Sequence, residues 1–282
     1  MPRCALALAL AALLATACGE RYEPTGALAQ TYPITVRGAG DEPTTAQSRP
    51  RTIVAVGRGP AELLAALGVK AQAFAGRGAL DLDAVVRARP DLVVASEDTD
   101  PFDLGQIKRS SRSAVYVSPG SSVADVERAA VDLGFLVGRP VEARHLAARI
   151  EAGIARVRAH LAGVTPVDVF VDTGFYTTVG AQSLLGDLIR LAGGRNVAAA
   201  RAGEAPFTPR RIAKLDPDLY LVTSSSGVGA AALRTDPEAR LIPAVRRGRI
   251  AVIPSDLVQV AGPRVPAGLA ALARTLHPDA FR

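Results

Sequence analysis

Short apolar runs alternate along this chain with longer stretches whose apolar positions recur at helical spacing. One arrangement occurs twice. Pro90-Asp91-Leu92-Val93-Val94 and Pro217-Asp218-Leu219-Tyr220-Leu221 each follow a helical run that carries a basic residue near its end (Arg87 and Arg89 in one, Lys214 in the other). Each leads to small polar residues, Ala95-Ser96-Glu97 and Thr223-Ser224-Ser225. A unit repeated half a chain apart predicts two similar α/β lobes. Two lobes enclose a cleft, and a cleft suits ligand capture.

The pattern around each repeat fills in the lobes. In the first, a strand at Thr52–Val56 runs through the turn Gly57-Arg58-Gly59 into a helix, with Pro60 at its first position and Gly68 past its end. Asp81 caps the helix that stops at Pro90. After the strand Asp91–Ala95 come a polar loop, a weakly helical stretch to Ser111 and a strand at Ala114–Val117. The second lobe repeats the programme with a strand at Val167–Asp172, a loop to Gly180 and a helix from Ser183 to Ala192. It continues with a helix capped by Thr208, a strand at Leu219–Thr223 and a last strand at Arg249–Pro254. Strand–helix alternation of this kind predicts mostly parallel sheets.

Between the lobes, Leu146, Ile150, Ile154, Val157 and Leu161 form one apolar stripe on the longest helical signal, from Pro140 to Leu161. Its place in the chain predicts a stiff bridge. The expected fold class is therefore α/β, with two Rossmann-like lobes of mostly parallel sheet joined by one long interlobe helix, a clamshell.

The N-terminus adds a destination. Arg3 precedes an apolar run from Ala5 to Leu14, the length of a signal-peptide core and too short to span a bilayer. It ends in Leu14-Ala15-Thr16-Ala17-Cys18-Gly19, which resembles a bacterial lipobox with Cys18 as the acylated residue. A plain secretory cut near Ala17 is the alternative, and either leads to export. Cys4 leaves with the signal and Cys18 takes the lipid, so the folded part has no thiol for a disulfide, a thiolate metal site or a nucleophile. The expected organisation is a lipoprotein signal segment at 1–18, a tether and hairpin arm at 19–50, an N-terminal lobe at 51–139, a bridging helix at 140–163 and a C-terminal lobe at 164–282.

The net charge of +6 raises nucleic acid as a partner, but arginine outnumbers lysine throughout and no basic run is interleaved with aromatics, which are 4% of the chain. No nucleic-acid partner is expected. Gly57-Arg58-Gly59 is a partial dinucleotide fingerprint, but Glu62 stands where its third glycine belongs, and a carboxylate there repels pyrophosphate. The better reading is a tight turn whose N–H groups and Arg58 face the cleft and favour an anionic ligand. His145, His160 and His277 fall at no metal-ligand spacing and read as solvated or capping residues, so no protein metal site is expected.

Several stretches in order resemble one family. They are Arg51–Val56 with Ala61-Glu62-Leu63-Leu64; Leu82–Ala95; Gly134-Phe135-Leu136-Val137-Gly138; Leu191-Ala192-Gly193-Gly194-Arg195-Asn196-Val197; Ala244-Val245-Arg246-Arg247-Gly248-Arg249; and Gly262-Pro263-Arg264 with Leu276-His277-Pro278. From about Tyr32 onward the chain is similar to the helical-backbone solute-binding proteins of ABC importers for ferric siderophores, haem and cobalamin. The resemblance implies a rigid clamshell that closes little, with the ligand between the strand-end loops of both lobes. It implies a monomer that docks on an ABC permease and its ATPase, is held to the outer face of the cytoplasmic membrane or in the periplasm by its lipid alone, and binds a metal-chelate ligand. Any iron or cobalt would belong to the ligand; the protein needs no cofactor of its own.

On that frame the candidate ligand contacts are Arg58; Ser96 and Glu97 at the end of the first repeat strand; Phe175 and Tyr176 on the matching second-lobe loop; Phe207; and Gln259 and Arg264. The aromatics would stack on a macrocycle or catecholate, and the Tyr176 hydroxyl would suit ferric iron. Asp83 matches the exposed acid by which the family's first lobe meets the permease, whereas Arg210 holds the corresponding second-lobe place, with Glu204 or Asp216 as substitutes. Two other classes compete. An exported α/β enzyme lacks support, because no Gly-x-Ser-x-Gly elbow or thiol nucleophile is present. A lipoprotein sensor or scaffold would use the cleft for another protein.

Overall fold

The computed structural model describes residues 30–74, 80–203 and 206–282. The signal segment, Cys18, the tether to residue 29 and Glu204 lie outside the described residues.

A hairpin comes first. Strand β1 (Ile34–Arg37) pairs antiparallel with β2 (Pro43–Ala46), Ile34 opposite Ala46. Thr44 donates from its hydroxyl to the Val115 carbonyl at 2.9 Å, and Tyr32 donates to Leu136 at 2.9 Å. The hairpin arm is thus packed on the first lobe.

The first lobe runs β3 (Ile53–Val56), α1 (Arg58–Ala66), β4 (Gln72–Phe74), α2 (Leu82–Arg87), β5 (Leu92–Ser96), α3 (Pro101–Ser110), β6 (Ala114–Ser118) and α4 (Val123–Leu136). Helix α5 (Pro140–His160) follows. The second lobe runs β7 (Val167–Asp172), α6 (Leu184–Leu191), β8 (Gly194–Asn196), α7 (Pro209–Leu215), β9 (Leu219–Thr223), α8 (Ala230–Thr235), α9 (Pro243–Arg246), β10 (Ile250–Ile253), α10 (Ser255–Val258) and α11 (Val265–Leu276). The two sheets are separate and wholly parallel, ordered β4-β3-β5-β6 and β8-β7-β9-β10, so both lobes use the same strand order. The chain is a two-lobed α/β protein.

The repeated Pro-Asp pair has a physical cause. Asp91, just before β5, accepts from the N–H groups of Arg51 and Thr52 at 2.8 Å each, while its own N–H donates to the Thr52 carbonyl. Asp218, just before β9, accepts from Asp168 N–H at 3.0 Å and donates its N–H to the Asp168 carbonyl. Each aspartate thereby satisfies backbone donors at the start of the neighbouring strand and fixes the register, Ile53 opposite Leu92 and Val169 opposite Leu219.

Helix α5, with 21 residues, is about 30 Å long. Its buried stripe, Ala143, Leu146, Ile150, Ile154 and Val157, packs on α4 of the first lobe and α11 of the second. Gly134 of α4 lies where any side chain would strike Ala143, and a methyl on Gly153 would stand 2.6 Å from Pro266 of α11. These bare positions let the helices approach closely on both sides of the bridge. Both lobes lie within the unit Tyr32–Arg282, and a single apolar cluster runs from Leu63 and Leu133 through Ile150 to Leu185 and Leu269. Contact of that extent resists hinge motion.

The pattern reading passes over α4, although Ser122 caps it by accepting from Asp125 N–H and Val123, Val126, Ala130 and Leu133 line its buried face.

Candidate functional site

The parallel strands of the first lobe all end towards the second lobe. A cleft of about 1100 Å³ lies there. Its first-lobe wall is built from the strand ends and the turns after them: Gly57 and Arg58 beyond β3, Ser96 at the end of β5 with Glu97 to Asp100 beyond it, and Gly120 and Ser121 beyond β6. Its second-lobe wall is Val179, Gln182, Ser183, Leu184 and Leu185 at the start of α6, with Gln259, Val260 and Ala261 after α10.

Local chemistry explains the shape. Arg58 is the first residue of α1, and Gly59 is buried against the carbonyl of Ala261, where a side chain would collide. The glycine turn therefore seats one lobe on the other and is no phosphate cradle. Glu97 accepts from Gly120 N–H at 2.9 Å and from the Ser121 hydroxyl at 3.0 Å, tying the β5 loop to the β6 loop. Ser183 caps α6 by accepting from Gly186 N–H at 3.1 Å. Gln259 accepts from the Ser225 hydroxyl at 3.1 Å.

Of the residues singled out in the sequence, Arg58, Ser96, Glu97 and Gln259 come together on this cleft. The others lie elsewhere. Arg264 lies among neither wall's lining residues. It donates two bonds to Glu62 of α1, at 2.9 and 3.1 Å, and two to Asp256, at 3.0 Å to the carboxylate and 3.1 Å to the backbone carbonyl, so it is an interlobe brace. Phe207 is 4% exposed and packs edge-on against Phe170 at 5.6 Å, which makes it core. Phe175 and Tyr176 border a separate pocket of about 160 Å³ with Asp172, Val228 and Asp236. Both have left-handed backbone, held by Asp172, which accepts from the N–H groups of Gly174 and Tyr176. The Tyr176 hydroxyl donates to Asp236 at 3.2 Å, and burial and then the Asp236 charge push its pKa up to about 12. A phenol so placed is a poor iron ligand, because it must first lose that proton.

Asp83 is exposed in the first turn of α2, and Arg210 is exposed in the first turn of α7. His277 donates to the Gly193 carbonyl at 3.0 Å, and His160 stacks on Phe281 with centroids 4.8 Å apart.

Sequence reasoning missed the cleft's charge. Asp81, Glu97, Asp98, Asp100 and Asp103 all line it, facing the lone Arg58 among the described lining residues. The signal was present, since Glu97, Asp98, Asp100 and Asp103 fall close together in the loop after β5 and the start of α3. Reading that segment only as polar loop left Arg58 to set the sign.

The geometry is that of a braced two-lobed binder, and comparison with known proteins decides the family: the description "Periplasmic binding protein" fits residues 72–257. The chain belongs to this family. Periplasmic binding proteins hold solutes and are not enzymes. A curated relative, the ABC transporter substrate-binding lipoprotein YvrC of Bacillus subtilis (strain 168), is 24% identical, covering 98% of this chain and 97% of its own. Among solved structures, the haem-binding RhuT of Roseiflexus sp. RS-1 in apo form matches with TM-score 0.70 and 23% identity over 82% of this chain and 99% of its own. CeuE of Helicobacter pylori, in a Ni–His complex, matches with TM-score 0.74 and 17% identity over 89% and 90%. At such identities the structural likenesses speak for the fold of this periplasmic binding protein and not for its ligand.

Proposed function

We propose that this periplasmic binding protein is the lipid-anchored, extracytoplasmic solute receptor of an ABC importer and captures a metal chelate of the ferric-siderophore, haem or cobalamin type between its lobes. The carrying observation is the cleft itself, about 1100 Å³ between the first lobe's strand ends and the second lobe's residues around the start of α6 and after α10, with the lobes braced by α5 and Arg264. That volume suits a ligand of chelate size. The relatives named for haem, Ni–His and ABC transport support the reading, and the lipoprotein relative supports an anchor at Cys18.

The lining narrows the class. No His, Tyr, Cys or Met stands among the described cleft residues, and the sequence of 75–79 contains none either. A ligand whose metal is already saturated by its own chelator fits this wall better than haem awaiting an axial side chain. Asp83 supplies the first-lobe contact to the permease.

The test is the absorption spectrum of protein purified from its native host, joined to thermal melting with added ferric siderophores, haem and corrinoids. A bound chromophore, or a raised melting temperature with one class, supports the proposal. No chromophore and no shift with any class overturns it. Asp83→Arg is expected to lower permease-dependent uptake and leave chelate binding unchanged; unaltered uptake removes Asp83 from the docking surface.

A further inference from the structure

We infer that the ligand of this cleft presents a cationic group to the first lobe, at Asp98 and Asp103. This rests on the solute-receptor reading and deepens it. The cleft is a site by its size, position and family; its lining adds the sign of the charge.

In a chain of net charge +6, the wall that meets the ligand is the reverse of the whole. Five carboxylates line it against the single guanidinium of Arg58 among the described residues. Residues 75–79 contain one arginine by sequence, Arg77, so the carboxylates outnumber the cations whatever its place.

Not all five are available. Asp81 caps α2 and Asp100 caps α3, each accepting from backbone N–H groups. Glu97 is engaged by Gly120 and Ser121. Asp98 and Asp103 are different, because neither side chain has a hydrogen bond or ion pair among the described residues. Arg58 does not neutralise them, since among the described residues its ion pair, at 3.5 Å, is to Glu62.

Across the cleft the second-lobe lining is neutral: Gln182, Ser183 and Gln259 with aliphatic neighbours. Closing on an anion would therefore gather like charges in a volume from which water is being displaced. Closing on a protonated amine, or a comparable organic cation, gives both carboxylates a partner. At a separation of about 6 Å in a partly wet cleft, one such pairing changes affinity roughly tenfold or more. Tris-catecholate complexes and the propionates of haem carry the wrong sign. A chelate bearing a free amine carries the right one.

The experiment uses the purified full chain and calorimetric titration with three ferric tris-hydroxamates that differ only at one terminus: a free amine, its N-acetyl form and its N-succinyl form. The expected order is amine, then acetyl, then succinyl, with the amine at least roughly tenfold tighter than the acetyl form. The double variant Asp98→Asn, Asp103→Asn is expected to abolish the preference for the amine form over the acetyl form. Succinyl binding as tight as the amine, or a double variant that keeps the preference, overturns the inference. If none of the three binds, the tris-hydroxamate chelates are the wrong solute, and the charge is read with hexaamminecobalt(III) instead. A melting temperature raised in the parent protein and not in the double variant sustains the inference; equal response in both overturns it.

Discussion

Gly153 offers a decisive test of the interlobe bridge, because two effects of known size oppose each other there. Replacing a glycine in a helix interior by alanine ordinarily stabilises by about 1 kcal/mol, as the unfolded chain loses backbone freedom. In α5 the added methyl would stand 2.6 Å from Cβ and 3.0 Å from Cγ of Pro266, which belong to a rigid ring at the start of α11. Neither partner has a torsion that moves aside, so α5 and α11 must separate. Overpacking of this kind costs about 1–3 kcal/mol. The steric effect wins, and Gly153→Ala should lose about 1 kcal/mol net, or roughly 2–4 °C in Tm for a unit of this size. Gly153→Val gains less propensity and adds more volume, so it should lose at least twice as much. Gly105→Ala is the control: its nearest neighbour is the flexible guanidinium of Arg109 at 3.3 Å, so the same substitution in α3 should be neutral or stabilising. Thermal unfolding followed by circular dichroism reads all three. If Gly153→Ala melts at or above the parent protein, as Gly105→Ala should, the close seam between α5 and α11 is wrong, and with it the argument for a stiff bridge.

Two further outcomes check other parts of the reasoning. Phe207→Ala removes a ring that is 4% exposed and edge-on to Phe170, and should destabilise by about 3–5 kcal/mol in denaturant titration without altering chelate affinity in the folded variant; lost affinity at unchanged stability would return Phe207 to the ligand site. Asp91 is held below the ordinary carboxylate pKa by the N–H groups of Thr52 and Arg51, so its stabilising contribution is fully present above the unfolded value of 3.8 and is lost as pH falls through the depressed folded value. Asp91→Asn should therefore cost roughly 1 kcal/mol at neutral pH, with the gap to the parent closing in acid. A gap that stays constant down to the acid limit of folding would show that the charge of Asp91 plays no part.

Local pattern carried most of the fold. The two Pro-Asp strands, the capped helices and the apolar stripe from Leu146 to Val157 are legible because each is set by neighbours within a few residues: a cap, a turn or a helical repeat. By the same logic α4 was readable from Ser122 and the spacing of Val123, Val126, Ala130 and Leu133. Strand β8 was not. Gly194-Arg195-Asn196 has no strand composition and is extended because it pairs with Val167–Val169. The site divides in the same way. Arg58, Ser96 and Glu97 follow strand ends, and parallel sheets place such positions at a ligand face, so they were within reach of the sequence. Which aromatic turns inward was not. Tyr176 is drawn to Asp236 and Phe207 to Phe170, and both partners are distant in sequence.

The sequence by itself determined two repeated α/β lobes and a rod between them, because periodicity and capping are short-range properties. Tertiary structure alone decided what the cleft presents. Arg264 was taken up by Glu62 from across the interface, and the acids after β5 gathered on the ligand face. Four of the five acids stand in one stretch, residues 97–103, but their dominance of the cleft depends on the neutral second-lobe residues that fold opposite them.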